Sequence, residues 1–152
     1  MDYCYALSRE MNKMADKLEF SNKLRWEGGY IGDISFKNGQ DFEFALPAPF
    51  GGIEGFISPE DLYVAAANAC FLTTTMTRAK KYGISLESYE STASGVMEKV
   101  GDGFEITKIT VKLRIKADAE KDKMDAMIKE IRGRVPVVKS MKTEVTLEAE
   151  IL

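Results

Sequence analysis

Apolar residues at Ile109, Val111, Leu113 and Ile115 recur at every second position, with charged or polar residues between them. Period two puts such residues on one face of an extended chain, so the stretch from Glu87 to Ala117 predicts two long strands flanking the turn Val100-Gly101-Asp102-Gly103, with one buried face. Three shorter segments also alternate: KLRWEGG (23–29), YIGDISFKNG (30–39) and QDFEFAL (40–46). Asn38-Gly39 marks a hairpin between the last two, because both residues tolerate positive φ, and the three predict a meander. Upstream, Leu7, Met11, Met14 and Leu18 fall at helical spacing and predict a helix over 5–19. The Pro/Gly segment 47–57 reads as a loop leading to Ser58 as N-cap, Pro59 at the first helical position, and Glu60 and Asp61 against the positive helix end. This helix is expected to reach about Tyr82, where Gly83 supplies the stop. Asp118 is read as the cap of a further helix to about Gly133; Pro136 opens a shorter one, and EVTLEAEIL (144–152) returns as a strand. The order βββ-α-ββ-αα-β is α+β, helices packed on antiparallel sheet.

With 152 residues, 45% hydrophobic and 30% charged, the chain is expected to fold as a single domain with its own core. Lys and Arg total 21 against 24 Asp and Glu, a net charge of −3 that offers nucleic acid no basic field. No apolar run approaches the roughly 20 residues of a membrane span, and the charged first twenty residues do not read as a signal peptide, so a cytoplasmic protein with no membrane partner is expected. Cys4 and Cys70, far apart, suggest reduced thiols. With no histidine, Cys-His and Ser-His-Asp nucleophiles and histidine-ligated zinc are excluded. No cofactor or metal is expected, and any chemistry must rest on thiol, carboxylate, guanidinium or phenol.

Cys70 falls in the third turn of the helix that Ser58 opens. A free cysteine there is either a small core hydrophobe or a reactive thiol, and Glu60 either favours the helix dipole or serves that thiol. Ten residues of straight helix separate the two by about 15 Å, so a partner subunit or a break in the helix would have to bring them together. The alanines at 65, 66, 67 and 69 permit close helix approach, against a second copy or against the sheet. Phe50, Phe56 and Tyr63, with Phe71, either line an apolar pocket for an organic substrate or pack in core or interface. The run Thr73-Thr74-Thr75 is odd in a helix, because β-branching lowers helix propensity.

WEGG (26–29), SPEDLYVAAANACF (58–71), the stretch from Tyr82 to Ala117 and VPVVKSMKTEVTLEAEIL (135–152) resemble, in order and spacing, the OsmC/Ohr family of osmotically inducible protein C and organic hydroperoxide resistance proteins. The resemblance covers residues 23–152 and leaves 1–22 as an N-terminal helical extension. It implies an OsmC-like fold, antiparallel sheets with a long central helix in an intertwined homodimer, and reduction of organic hydroperoxides by a reactive cysteine. It also places the peroxidatic thiol on Cys70 and the family's structuring glutamate on Glu60. Two departures stand out. The positions where the family carries an arginine beside the thiol match Tyr30 and Pro49, leaving Arg25 and Arg78 as possible substitutes. The second, resolving cysteine is replaced by Val135, before Pro136. A single-cysteine cycle with an external thiol reductant is then implied, unless Cys4 serves as the partner. The competing reading is a non-enzymatic dimer that binds a small hydrophobic or thiol-bearing ligand.

Overall fold

The computed structural model describes residues 17–152. Cys4 and most of the helix expected over 5–19 lie outside the described residues, and Lys17, Leu18 and Glu19 within them are not helical. The elements are β1 (Asn22–Gly28), β2 (Ile31–Phe36), β3 (Asp41–Ala45), α1 (Pro59–Tyr82), β4 (Ser85–Val100), β5 (Gly103–Asp118), α2 (Lys121–Arg132), α3 (Pro136–Lys139) and β6 (Glu144–Ile151). They form two three-stranded sheets, β1-β2-β3 and β4-β5-β6. The predicted order of elements holds.

β4 and β5 pair antiparallel across the Gly101 turn, but β6 joins β5 in parallel, with Leu147 beside Val111. A crossover through two helices returns the chain in the direction of β5, so this sheet is not antiparallel throughout. α2 begins at Lys121 rather than at Asp118, because Asp118 is still in β5, opposite Ser85. The alternation of β5 sorts its side chains cleanly. Ile109, Val111, Leu113 and Ile115 are fully buried against Ala67 and Phe71 of α1 and Met124, Met127 and Ile131 of α2. On the opposite face Lys112, Arg114 and Lys116 pair with Glu148, Glu90, Glu150 and Glu87 of the flanking strands. These exposed pairs contribute little stability; their main effect is to keep the outer face wet.

The first sheet carries a second apolar face. Leu24 lies opposite Ile34, Trp26 opposite Gly32, and Gly32 and Ile34 opposite Phe44 and Phe42. Gly32 lets the Phe44 ring lie across β2, since a Cβ would sit 2.7 Å from it. The face is open: Leu24 is 61% and Trp26 73% exposed. Only a short parallel bridge, Phe44 with Ile57, ties β3 to the loop that enters α1. No helix among the described residues is long and apolar enough to cross a membrane.

The C-terminal end of α1 is fastened to α2 by one carboxylate. Glu130 accepts from Arg78 and Lys81 at 3.0 Å and pairs with Arg134 at 3.3 Å. The hydrogen bonds of Lys81 and Tyr82 hold its carboxyl below the ordinary value of 4.5, and Glu130 in turn raises the Tyr82 phenol. A lowered folded-state value stabilises above the unfolded value and is lost as pH falls through the folded one. We therefore expect Glu130→Gln to be less stable than wild type at pH 7, with the gap closing below the ordinary carboxylate value of 4.5. Urea denaturation at pH 7 and pH 3 checks this, and an equal gap at both would refute it.

Candidate functional site

The start of α1 is fixed by a reciprocal cap. The Asp61 amide donates to Ser58 Oγ at 3.1 Å, and the Ser58 amide and hydroxyl donate to Asp61 Oδ2 at 2.9 and 2.8 Å. The cap satisfies otherwise orphaned amides and holds Pro59 and Glu60 at the first two helical positions. From there α1 runs unbroken through 24 residues. Glu60 and Cys70 therefore stay about 15 Å apart within one chain, and the structure does not bring them together. Cys70 is half-buried at the edge of the apolar core. The threonine run that follows is accommodated by back-bonding. Thr73 donates to the Cys70 carbonyl at 3.2 Å, Thr75 to that of Phe71 at 2.8 Å and Thr77 to that of Thr74 at 2.8 Å. Thr74 and Thr75 thereby enter the core with Thr75 satisfied inside its own helix.

Glu60 stands between two grooves. One, of about 470 Å³, runs along α1 and β4 past Asp61, Val64, Asn68 and Gly95. Ser91 donates to Asn68 at 2.7 Å in its wall, and Gly95 lets β4 approach so closely that a Cβ would lie 2.7 Å from Val64. The other, of about 360 Å³, is bounded by Pro59, Tyr63, Met97, Ile106, Lys142 and Thr143, with Glu105 at its side. Glu60 Oε2 is buried and finds no hydrogen-bond partner among the described residues. A buried oxygen left in this state is costly unless something else completes it.

Tyr63 shares the second groove with Glu60. Thr143 Oγ1 donates to the Ile106 carbonyl at 2.8 Å, so the Tyr63 hydroxyl, 3.0 Å away, donates to Thr143. Phe50 and Phe56 line neither groove: Phe50 packs edge-on against Phe104 with ring centroids 5.2 Å apart, and Phe56 is half-buried in the loop. One chain thus gathers Tyr63 to Glu60 and leaves the two phenylalanines aside. Lys142, Met97, Glu105 and Ile106 join the groove through the hairpin and the α3–β6 connection, and no local sequence pattern marks them.

The two substitute cations are both engaged. Arg25 projects from the face of the first sheet opposite to Trp26, hydrogen-bonds Glu27 and stands across from Asp33. Arg78 is bound to Glu130. Tyr30 sits exposed at the β1–β2 turn, and Pro49 in a short 3-10 turn, Ala48–Phe50. Val135 caps α3 from inside the core, 1% exposed. The side of α1 away from the sheet bears Ala65, Ala66, Ala69, Leu72 and Met76, exposed throughout, Met76 at 57%.

A protein-family model described as OsmC-like protein matches residues 52–150. The peroxiredoxin OsmC of Escherichia coli is 29% identical over 135 residues, which span 85% of this chain and 94% of that protein. Among solved structures, an OsmC-like protein from Vibrio cholerae superposes with a TM-score of 0.79 at 19% identity, covering 88% of this chain and 100% of the other. The organic hydroperoxide resistance protein OhrB of Bacillus subtilis gives 0.59 at 25% identity, over 88% and 98%.

Tyr63→Phe removes the hydroxyl that rests on Thr143 while leaving Thr143 its bond to Ile106. We expect a loss of about 1 kcal/mol in chemical denaturation, the net worth of one such bond. An unchanged midpoint would show that the hydroxyl does not brace the groove.

Proposed function

The chain belongs to the family of OsmC-like proteins, and from that membership we propose that it is a cytoplasmic homodimeric thiol peroxidase that reduces organic hydroperoxides through Cys70 alone. The observation that carries this reading is the pairing of a half-buried Cys70 on α1 with a fully buried Val135 where the family's second thiol would stand. The thiolate sulfur attacks the outer oxygen of ROOH; the O–O bond breaks, and RO⁻ takes a proton and leaves as ROH. Cys70 is then a sulfenic acid. One external thiol condenses with it, releasing water and leaving a mixed disulfide, and a second thiol attacks that disulfide to free Cys70 and leave the external pair oxidised. Two electrons pass from two thiols to one peroxide.

Assembly follows from the same geometry. An unbroken α1 cannot carry Glu60 to its own Cys70, so if the carboxylate serves the thiol it comes from a second copy. Two open apolar surfaces support that copy as the occupant: the alanine-lined side of α1, and the Leu24–Trp26 face of the first sheet. Soluble monomers rarely leave so much contiguous apolar surface bare. We expect a dimer still intact at micromolar concentration with an interface above roughly 2,000 Å², and a folded monomer in sedimentation would overturn it.

A second reading, a non-enzymatic dimer that binds a small hydrophobic or thiol-bearing ligand, is favoured by one observation: Arg25 and Arg78 both face carboxylates of their own rather than Cys70. Activity separates the two. With a small dithiol, wild type should consume an aromatic or alkyl hydroperoxide faster than the dithiol alone and faster than it consumes hydrogen peroxide. Only the organic peroxides gain apolar contacts, worth up to about 3 kcal/mol per fully buried side chain. Cys70→Ser should remove that excess and Cys4→Ser should leave most of it. Indistinguishable wild type and Cys70→Ser, with a thiol that resists alkylation until unfolding, would favour the binding protein.

A further inference from the structure

Glu60 poses a charge problem that the family resemblance does not solve. Its Oε2 is buried without a partner, and the two positions matched to the family's arginine are Tyr30 and Pro49. A carboxylate oxygen shielded from water in a groove wall favours a cation or donor that can reach it. Arg25 is on the outward face of its sheet with Glu27 and Asp33, and Arg78 is held by Glu130 at the far end of α1. Of the described residues lining the two grooves at Glu60, a single one is cationic: Lys142.

We propose that Lys142 is the counter-cation of Glu60 and acts through it as a positioning residue of the peroxide site. The inference rests on the peroxidase reading above for its consequence, and on the groove alone for its geometry. In the single chain Lys142 Nζ pairs with Glu105 at 2.7 Å, but the lysine side chain is 77% exposed, and so open a pair restrains it weakly. The backbone at its base is fixed, because the adjacent Thr143 is bonded both to Tyr63 and to Ile106. A long flexible stem on a fixed base can turn its ammonium from Glu105 to Glu60 within the same groove. Three donors on one compact head also let it serve both carboxylates at once. Closure of the groove by a second copy expels water from Glu60 and strengthens the demand for that cation. The family's arginine is thereby replaced by a lysine from a different part of the chain, on the connection between α3 and β6.

A double-mutant cycle on the full-length dimer tests this, using Glu60→Gln, Lys142→Met and the pair together, with Lys142→Arg as the charge-keeping variant and Lys139→Met as a control on exposed α3. Each single variant should lower kcat/KM for an organic hydroperoxide by about tenfold, the effect of one coupled charge, and the pair should lower it no further. Lys142→Arg should restore most of the rate. Losses that multiply in the pair, or a Lys142→Met rate equal to wild type while Glu60→Gln is impaired, would overturn the proposal and leave the peroxidase reading intact. Thermal unfolding of the same variants gives a readout that does not depend on catalysis. If wild type shows no peroxidase activity, that reading fails, and the melting cycle still decides: shifts that do not add uphold the Glu60–Lys142 pair, and additive shifts overturn it.

Discussion

An α-helix advances 1.5 Å per residue, and α1 runs from Pro59 to Tyr82 without a kink. That rigidity governs the rest. It holds Glu60 and Cys70 at fixed stations about 15 Å apart, so no rearrangement of side chains inside one chain can make them neighbours. The β4-β5-β6 sheet and α2 cover only one side of α1, and the other side, of alanine, leucine and methionine, is exposed among the described residues. Glu60 and Cys70 therefore stay apart within the single subunit, and the bare side of the helix is the surface on which the proposed dimer rests.

What keeps α1 straight and in place is divided between its ends and its middle. At the N-terminus the Ser58–Asp61 cap determines where the first turn begins, and hence that Glu60 is the residue that lines both grooves. In the middle, Ala67 and Phe71 lie on the fully buried row of β5, where close packing leaves no freedom of register. At the C-terminus Gly83 ends the helix in a left-handed conformation, while Glu130 gathers Arg78, Lys81 and Arg134. The same ion cluster removes Arg78 from the list of cations that could serve the thiol. Fold stability and site chemistry compete for one guanidinium, and in this chain the fold holds it.

Much of this was legible in the sequence because local physics marks it. The period of β5 announces its buried face, and Ser58, Pro59 and Gly83 announce the limits of α1, since each has a conformational reason to be where it is. Other features leave no local trace. The parallel pairing of β6 depends on a crossover through α2 and α3, and nothing within EVTLEAEIL records its direction. Asp118 looked like a cap because aspartate favours caps, but pairing with Ser85 keeps it in the strand and moves the helix start to Lys121. Phe50 and Phe56 read as pocket residues by proximity in sequence to Tyr63; within the single chain the Gly-rich loop sets them outside both grooves, with Phe50 against Phe104. Lys142 has no periodic or motif signal at all; only the tertiary arrangement sets it beside Glu60.

The buried Val135 carries the argument one step further. In a two-cysteine cycle the resolving thiol condenses with the sulfenic acid from within, and an outside reductant is needed only for the disulfide that results. A chain that fills that place with a valine in the core must instead leave its oxidised sulfur within reach of an outside thiol. The half-buried setting of Cys70 is compatible with the proposed cycle: it packs on the apolar core on one side and stays partly exposed on the other. The proposed role of Lys142 at the solvated rim of the groove follows the same logic. A guanidinium wedged beside the thiol would help close the site, whereas an ammonium on a mobile stem can neutralise Glu60 and still move aside. Loss of the second thiol and relocation of the cation are on this view two parts of one change, from a site that resolves its own oxidation to one that stays open for a partner to do so.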